Sequence, residues 1–429
     1  MLQYIKYLSR ILLLSVFLTA CSQNAVVVKK QPAINKEVIA KLSLQAGDSF
    51  LNQENDASEL LQKYFTPWDQ KKVSYSKTEA MWGLSYKSRK IYLENYRPAT
   101  AEWFEKIIDN ANFDYYNLQP QKAITLKNTD AKILPTMSPL FHNPLLPGEG
   151  FPFDYNQNSR LKINTPLMVS HLSKDRAWAY VESFSVGGWV SIDSIAFVDA
   201  DFINSFKTSD YYISIKEKFA LYDPVFRDYI KVATIFPKYG DNFLIAKRDD
   251  DLNARLVSTD IEESNISSFP FENSVQNRLL ILNELLNEPY GWGGLLNNRD
   301  CSSFTQDYFM VFGKYLHRNS KAQVANGKYH DLSLLTSKEK KDFITENAIP
   351  FSTLIYLKGH IMLYIGVQEN EPLVAHNIWS IRLKDKDNQE FRHIIGKATV
   401  TTLEPGIGLE GFNKESNLLE RILGITIVE

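Results

Sequence analysis

The stretch PYGWGGLLNNRDCSSF, Pro289 to Phe304, decides how this chain is read. A Gly-rich turn carrying two aromatics runs into an Asp-Cys-Ser-Ser step. Beyond it Phe304, Tyr308, Val311, Phe312 and Tyr315 recur at helical spacing, which predicts a helix starting near Ser302. Cys301 therefore falls at a helix N-terminus, where unpaired N–H groups and the macrodipole favour an anion and draw a thiol toward thiolate. The plainer alternative is a small buried hydrophobe that happens to be cysteine.

Working outward, the chain of 429 residues has room for two to four domains. A net charge of −2 and a pI near 6.4 give no basic patch for nucleic acid and no acidic tail. The chain holds 2 cysteines, Cys21 and Cys301. Lys6 and Arg10 precede a short apolar run, Ile11 to Leu18, which ends in Leu18-Thr19-Ala20-Cys21. That ending resembles the lipobox of bacterial lipoproteins, which implies a signal peptide over 1–20 and a lipidated Cys21. Cys301 would then be the one free thiol, with no disulfide partner in an exported protein. The expected location is the cell envelope, anchored by lipid to a membrane. Ser22 after the lipidated cysteine favours the outer membrane facing the periplasm, where the cell has one.

Residues 21–41 are polar and without a sustained period, as in a tether. Residues 42–118 lean helical: Ser58 to Trp68 carries a Ser N-cap signal and a Pro67 stop, and Thr100 is placed to cap ATAEWFEKIIDNANF. Residues 119–200 change to short β-branched and aromatic runs between Pro, Gly and Asn turns, and 201–264 repeat that pattern more loosely. Both are expected to be small all-β, SH3-like barrels in tandem. Residues 265–429 read as α then β. The expected fold class is thus multidomain: an α-rich N-terminal unit, two all-β barrels and a C-terminal α+β domain.

A thiol nucleophile needs a base, and the base needs an orienting group. His360 opens the strand-like run HIMLYIGV directly after Gly359, and His376 closes the next run, PLVAH. If these strands pair as a hairpin, the two histidines become cross-strand neighbours at one end of a sheet. His393 competes for the orienting role, whereas His142, His171, His317 and His330 lie in less telling surroundings. A Cys/His zinc site would leave the Gly-rich turn and the helix start unexplained, so no metal and no cofactor are expected.

Together PYGWGG, RDCSSF, RNSKAQ, KGHIMLYIG and AHNIW resemble the NlpC-type cell-wall peptidases, which are papain-like. TPW, LPTMSPLF, GEGFPFDYNQNS and SKDRAWAYVES extend the resemblance to members with an N-terminal helical clip and tandem SH3-like domains. The resemblance implies a cysteine endopeptidase of peptidoglycan stem peptides (tri- and tetrapeptides), cutting between D-glutamate and the diamino acid in wall turnover or recycling. It places the catalytic set on Cys301, His360 and His376, and an oxyanion donor on Tyr290. It further implies substrate binding by Asp300, Ser302 and Trp292. The first barrel would close the groove, with Asp154, Tyr155 and Glu149 available to a free N-terminal amine. FSTLIYLKGH lacks the Gly-Asp step common before the base strand, so the approach to His360 is expected to differ in shape. A monomer is expected. The competing functions are an amidase or acyl transferase on the same scaffold, and a lipid-anchored peptidoglycan-binding module.

Overall fold

The computed structural model describes residues 53–428. The expected signal peptide, Cys21, the tether and the start of the helical region lie outside the described residues.

The N-terminal helices are α1 (Gln53–Asp69), α2 (Lys77–Ala80) and α3 (Ala101–Asn110). α1 starts before Ser58 and carries Pro67 in its last turn. So close to the end, proline forfeits a single ladder bond, and the helix continues through it. Thr100 caps α3 by accepting from Trp103 N–H, as its sequence predicted. These helices share their buried residues with the neighbouring β unit. Val73, Ala80, Ala111 and Phe113 are buried against Met168, Trp178, Tyr180 and Trp189 of the neighbouring sheet. The Trp68 indole donates to Ala123 O at 2.8 Å and the Tyr64 hydroxyl to Asn164 O at 2.8 Å, which fastens α1 across that sheet.

The sheet is the first of two β units. Its strands are β1 (Gln121–Thr125), β2 (Thr129–Lys132), β3 (Gln157–Leu161), β4 (Pro166–Leu172), β5 (Trp178–Glu182), β6 (Gly187–Ser191) and β7 (Ile195–Phe197). They pair in the order β3-β2-β6-β5-β4-β1-β7 around an aliphatic core that includes Leu167, Val169, Ala179 and Val190. After α4 (Ala200–Phe206) comes the second unit: β8 (Tyr211–Ser214), β9 (Phe219–Asp223), β10 (Val225–Ile230), β11 (Ile235–Tyr239), β12 (Asn242–Arg248), β13 (Ala254–Thr259) and β14 (Ile266–Ser268). Here β9 and β10 form a ribbon beside the sheet β13-β12-β11-β8-β14. Because β14 pairs with β8, this unit runs past the expected limit at 264.

In the C-terminal domain α5 (Val275–Leu285) and α6 (Cys301–Val311) precede α7 (Ser320–Gln323), β15 (Lys328–Asp331) and α8 (Ser337–Asn347). Strands β16 (Thr353–Leu357), β17 (His360–Gln368), β18 (Glu371–Lys384) and β19 (Glu390–Thr402), then α9 (Leu418–Arg421) and β20 (Ile422–Ile427), complete it. The sheet order is β15-β20-β16-β17-β18-β19. α6 is buried nearly all round, with Phe304, Tyr308, Phe309, Met310 and Val311 all inside, as befits a helix sunk in a core.

Polar groups fix α6 relative to both β units. The buried Arg299 guanidinium donates to both Glu217 oxygens at 2.8 Å and through Nε to Asp307 of α6 at 2.7 Å. Lys231 reaches Glu217 at 3.1 Å, and Lys162 pairs with Asp307. Burial opposes the Glu217 charge, yet Arg299 and Lys231 outweigh it and hold that carboxyl down at about 2. Deleting one partner of such a pair strands buried charge. Glu217→Ala is therefore expected to destabilise the protein by about 3–5 kcal/mol, seen as an earlier denaturant midpoint; an unchanged midpoint would contradict this role.

Candidate functional site

Asp300 begins the site. It caps α6 by accepting from Ser303 N–H at 2.8 Å, and Gly293 N–H donates to its other oxygen at 3.0 Å. This is why the sequence turns from loop to helix there. Cys301 is the first residue of α6 and 8% exposed. Backbone N–H groups of Ile361 and Ser302 point at its sulfur. Since Ile361 follows His360, that contact ties the thiol to the start of β17.

A tight turn at Lys358-Gly359 sets the base strand, with Leu357 paired to His360 and Gly359 at φ +84°. Left-handed backbone is cheap only for glycine. That turn stands where the Gly-Asp step is missing. His360 Nε2 lies 2.8 Å from His376 Nδ1, and His376 Nε2 lies 3.1 Å from Thr401 Oγ1. The expected neighbours do meet, although His376 sits inside β18 rather than at its end and faces Thr399 in register. The chain of bonds fixes the tautomers. The Thr401 hydroxyl spends its single proton on Thr402 O at 2.8 Å, so it accepts from His376 Nε2–H. His376 Nδ1 then accepts from His360 Nε2–H. His360 Nδ1 is left unprotonated, as a base requires. His393 lies opposite Ile381, far along the β18–β19 ladder from His376.

Burial governs the electrostatics. It pushes the Cys301 thiol up to about 12, with the Asp300 charge adding to the shift and the backbone donors opposing it. It pulls His360 down to about 3, with Arg421 acting in the same direction. Burial thus opposes the thiolate that the helix N-terminus favours, and it favours the neutral imidazole. Tyr290 lines the same cleft, and burial raises its phenol well above its ordinary value, followed by the effects of Cys301 and Asp300. It remains a protonated donor.

The thiol opens into a cleft of about 480 Å³. Asp300, Ser302, Tyr290 and Trp292 line it from the C-terminal domain, Tyr155 from the first β unit, and Glu79 and Trp82 from the helical region. Gly293 and Gly294 make the domain junction. Each has positive φ, and a Cβ would come within 2.4 Å of Gln157 O at the first and 2.5 Å of Arg160 Cβ at the second. The paired glycines of PYGWGG are thus explained by close approach to β3.

Other expectations are corrected by burial. Asp154 is not on the cleft wall. Its carboxylate is 3.2 Å from Lys132 Nζ and accepts from Leu140 and Asn156 N–H at 2.9 and 2.8 Å, so it braces its own loop. Glu149 accepts from the Tyr155 hydroxyl at 3.2 Å and is not among the residues that line the cleft. Arg318 gained no role from the sequence, although it opens the RNSKAQ motif. It donates to both Asp300 oxygens at 3.1 and 2.8 Å, to Ser302 Oγ at 2.9 Å and to Ser159 Oγ at 2.8 Å. Burial disfavours the Asp300 charge, but Arg318 prevails and keeps its carboxyl low. Thr401 had no sequence signal beyond sitting on a strand, and Trp379, whose ring centre lies 6.0 Å from that of Tyr290, closes the AHNIW motif without having gained a role from it.

Known proteins supply a matching frame. The NlpC/P60 family model matches residues 287–395, the span that holds Cys301, His360 and His376. The C-terminal domain belongs to the NlpC/P60 family. An NLPC_P60 N-terminal stabilising domain matches residues 11–116, and an SH3 domain of SH3b1 type matches 139–191. Of the two expected barrels, the first alone is identified in this way. An NlpC/P60 endopeptidase from Photobacterium damselae subsp. piscicida is 25% identical, with a TM-score of 0.81 over 90% of this chain and 94% of its own. An NlpC/P60 family protein from Bacillus cereus ATCC 10987 is 15% identical, with a TM-score of 0.43 over 63% of this chain and 82% of its own. No curated protein matches the chain. The fold is therefore that of an NlpC/P60 endopeptidase with a helical N-terminal region and an SH3 domain.

The neutral thiol has a direct chemical signature. Iodoacetamide should alkylate Cys301 far more slowly than free cysteine at pH 8–9, with a rate still climbing above that range because burial pushes the thiol pKa up. A rate that levels off below pH 8 would show a thiolate and contradict it.

Proposed function

We propose that this NlpC/P60 protein is a cysteine endopeptidase of peptidoglycan stem peptides that cuts the bond between γ-D-glutamate and the diamino acid. The observation that carries this is the hydrogen-bonded line from His360 at the start of β17 to His376 and Thr401, with Cys301 at the α6 N-terminus on a cleft that Gly359, the residue before His360, also lines. In this mechanism His360 Nδ1 takes the thiol proton as Cys301 Sγ attacks the γ-glutamyl carbonyl. His376 accepts from His360 Nε2–H and steadies the imidazolium that forms. Tyr290 O–H and the Cys301 backbone N–H face the oxyanion. His360 returns its proton to the leaving amine, and water, deprotonated by His360, hydrolyses the thioester. Moving the proton during attack spares the buried site a standing ion pair, which suits the opposed shifts of thiol and imidazole.

The cleft supports a short substrate. Its walls come from three parts of the chain, and aromatic edges of Trp82, Tyr155 and Trp292 close it. Glu79 supplies a carboxylate on the cleft wall for the free N-terminal amine of an L-Ala-γ-D-Glu peptide. Within the same proposal, the second β unit is a further SH3-like barrel, and a lipid on Cys21 tethers a monomer to the envelope membrane.

Digestion of L-Ala-γ-D-Glu-diaminopimelate, followed by mass spectrometry, tests the proposal. Release of L-Ala-γ-D-Glu by the wild type and none by Cys301→Ala is expected; release by Cys301→Ala would exclude the thiol mechanism. N-acetylation of the peptide should slow cleavage, and equal rates would remove the amine-recognition role. Thr401→Val frees His376 to adopt the other tautomer, and about a tenfold fall in kcat with little change in KM is expected from losing one hydrogen bond. Thr401→Ser should restore the rate, and a Val variant as fast as wild type would break the assignment.

A further inference from the structure

Two loop tips stand side by side where the helical region meets the first β unit. The first is a hairpin of the helical region. Ala99 N–H donates to Ile91 O at 2.8 Å, Leu93 N–H to Arg97 O at 3.0 Å and Tyr96 N–H to Leu93 O at 2.9 Å, so the chain reverses over 93–97. The second tip is residues 143–151. It is folded on itself by bonds from Leu145 N–H to the Asn143 side chain at 3.2 Å and from Glu149 N–H to Leu146 O at 3.1 Å. Tyr92 and Phe141 exchange two backbone bonds of 2.8 Å and hold the tips together, and a Cβ on Gly150 would lie 3.6 Å from the Tyr96 hydroxyl.

What these tips present is apolar. Leu145 is 87% exposed, Leu146 and Phe151 are each 55% exposed, and Tyr96 is 49% exposed. Single apolar side chains scattered over a surface are ordinary, but four on two adjoining tips make a patch. Tyr96 also sits at φ +57°, in left-handed backbone that a bulky residue rarely adopts. Folding gains nothing from a tyrosine held outward in that conformation or from two leucines left in water.

Charge selects the partner. Arg89 and Lys90 lead into the hairpin, and Arg97 leaves it. All three are exposed, and among the described residues none has a carboxylate partner. Arg89 and Lys90 lie over the rings of Tyr86 and Tyr92 at 5.1 and 5.7 Å. Glu94 shares the first tip, whereas Glu149 on the second is engaged by the Tyr155 hydroxyl. An apolar tip rimmed by unpaired cations matches an anionic bilayer, whose headgroups attract the cations while the layer beneath takes up the apolar side chains. A second protein would have to offer a hollow for tips that protrude, whereas a bilayer surface yields to them.

We propose that Tyr96, Leu145, Leu146 and Phe151 insert into the interface of an anionic membrane, with Arg89, Lys90 and Arg97 on the lipid phosphates. The surface depends neither on the peptidase function proposed above nor on a lipid at Cys21. The two tips belong to the helical region and the first β unit, which also wall the Cys301 cleft, so seating them on a bilayer fixes how that cleft is presented.

Leu145→Trp reports on the tip itself, in the full chain carrying Cys21→Ser so that no lipid is attached there. With vesicles of phosphatidylglycerol and phosphatidylcholine bearing brominated acyl chains, the emission added by the new indole is expected to be quenched. In flotation, Leu145→Ser combined with Leu146→Ser should weaken vesicle binding about tenfold or more. Arg89→Gln with Lys90→Gln should abolish the preference for phosphatidylglycerol over phosphatidylcholine alone. These side chains are exposed, so an unchanged melting temperature is expected and shows an intact fold. A chain held on vesicles elsewhere, by its apolar run at 11–18 for example, would leave the new indole unquenched, and that result overturns the proposal. So would serine variants that bind as tightly as the parent, a lipid preference that survives the loss of both cations, or a parent that ignores vesicles and pairs with a second copy through Leu145.

Discussion

The geometry of this protein hangs on the buried guanidinium of Arg299. It lies two positions before Cys301 and is held by Glu217 from the second β unit and Asp307 from the helix that Cys301 begins. Its own carbonyl accepts from the Asn377 side chain and from Gly291 N–H. One residue thus joins a β unit, the candidate nucleophile helix, the strand that carries His376 and the Gly-rich turn. The local charge balance follows from it. Three cations (Arg299, Lys231, Lys162) share two carboxylates, Glu217 and Asp307. Lys231 yields: burial, then Arg299, brings its pKa down to about 7. A guanidinium holds its charge against burial more firmly than an ammonium, so arginine is the residue suited to the centre.

The same close packing explains the state of the candidate dyad. A helix N-terminus offers an anion a fraction of a charge. Covering the thiol removes the water that would otherwise solvate a thiolate, and that loss is larger. Burial therefore favours the uncharged form of both the thiol and the imidazole, and direction rather than charge organises the polar groups. Thr401 passes its proton outward, and each histidine in turn is left with one fixed donor and one fixed acceptor.

Much of this could be read from the residues. Cys301 at a helix start and a hairpin joining His360 to His376 both follow from local patterns. Local patterns fail where a side chain is used at long range. Asp154 looked like a carboxylate on an open loop, but Lys132, 22 positions earlier in the chain, takes it inward. Arg318 reads as an ordinary polar loop residue until Asp300 and Ser159 are brought to it. The desolvation that opposes a thiolate is hidden for a related reason, since the burial of Cys301 is invisible in the stretch around it. Pro67 misled as a stop because its effect depends on how many turns remain after it.

Gly293 and Gly294 show why cleft and domain assembly are inseparable. Their positive φ values bring the loop against β3 so closely that no Cβ fits, and Gln157 donates to Gly293 O at 3.0 Å. That contact sets the height of the first β unit over Cys301. Trp292, next to it, meets Phe153 and Tyr155 at ring separations of 5.4 and 5.6 Å. The wall facing the thiol is therefore built from neither domain alone. A change at the junction would move Tyr155 relative to Cys301 while leaving every bond of the His360–His376–Thr401 line in place. Access to the thiol and the chemistry beside it are set by different contacts, and the substrate range of such a site can diverge without disturbing its proton path.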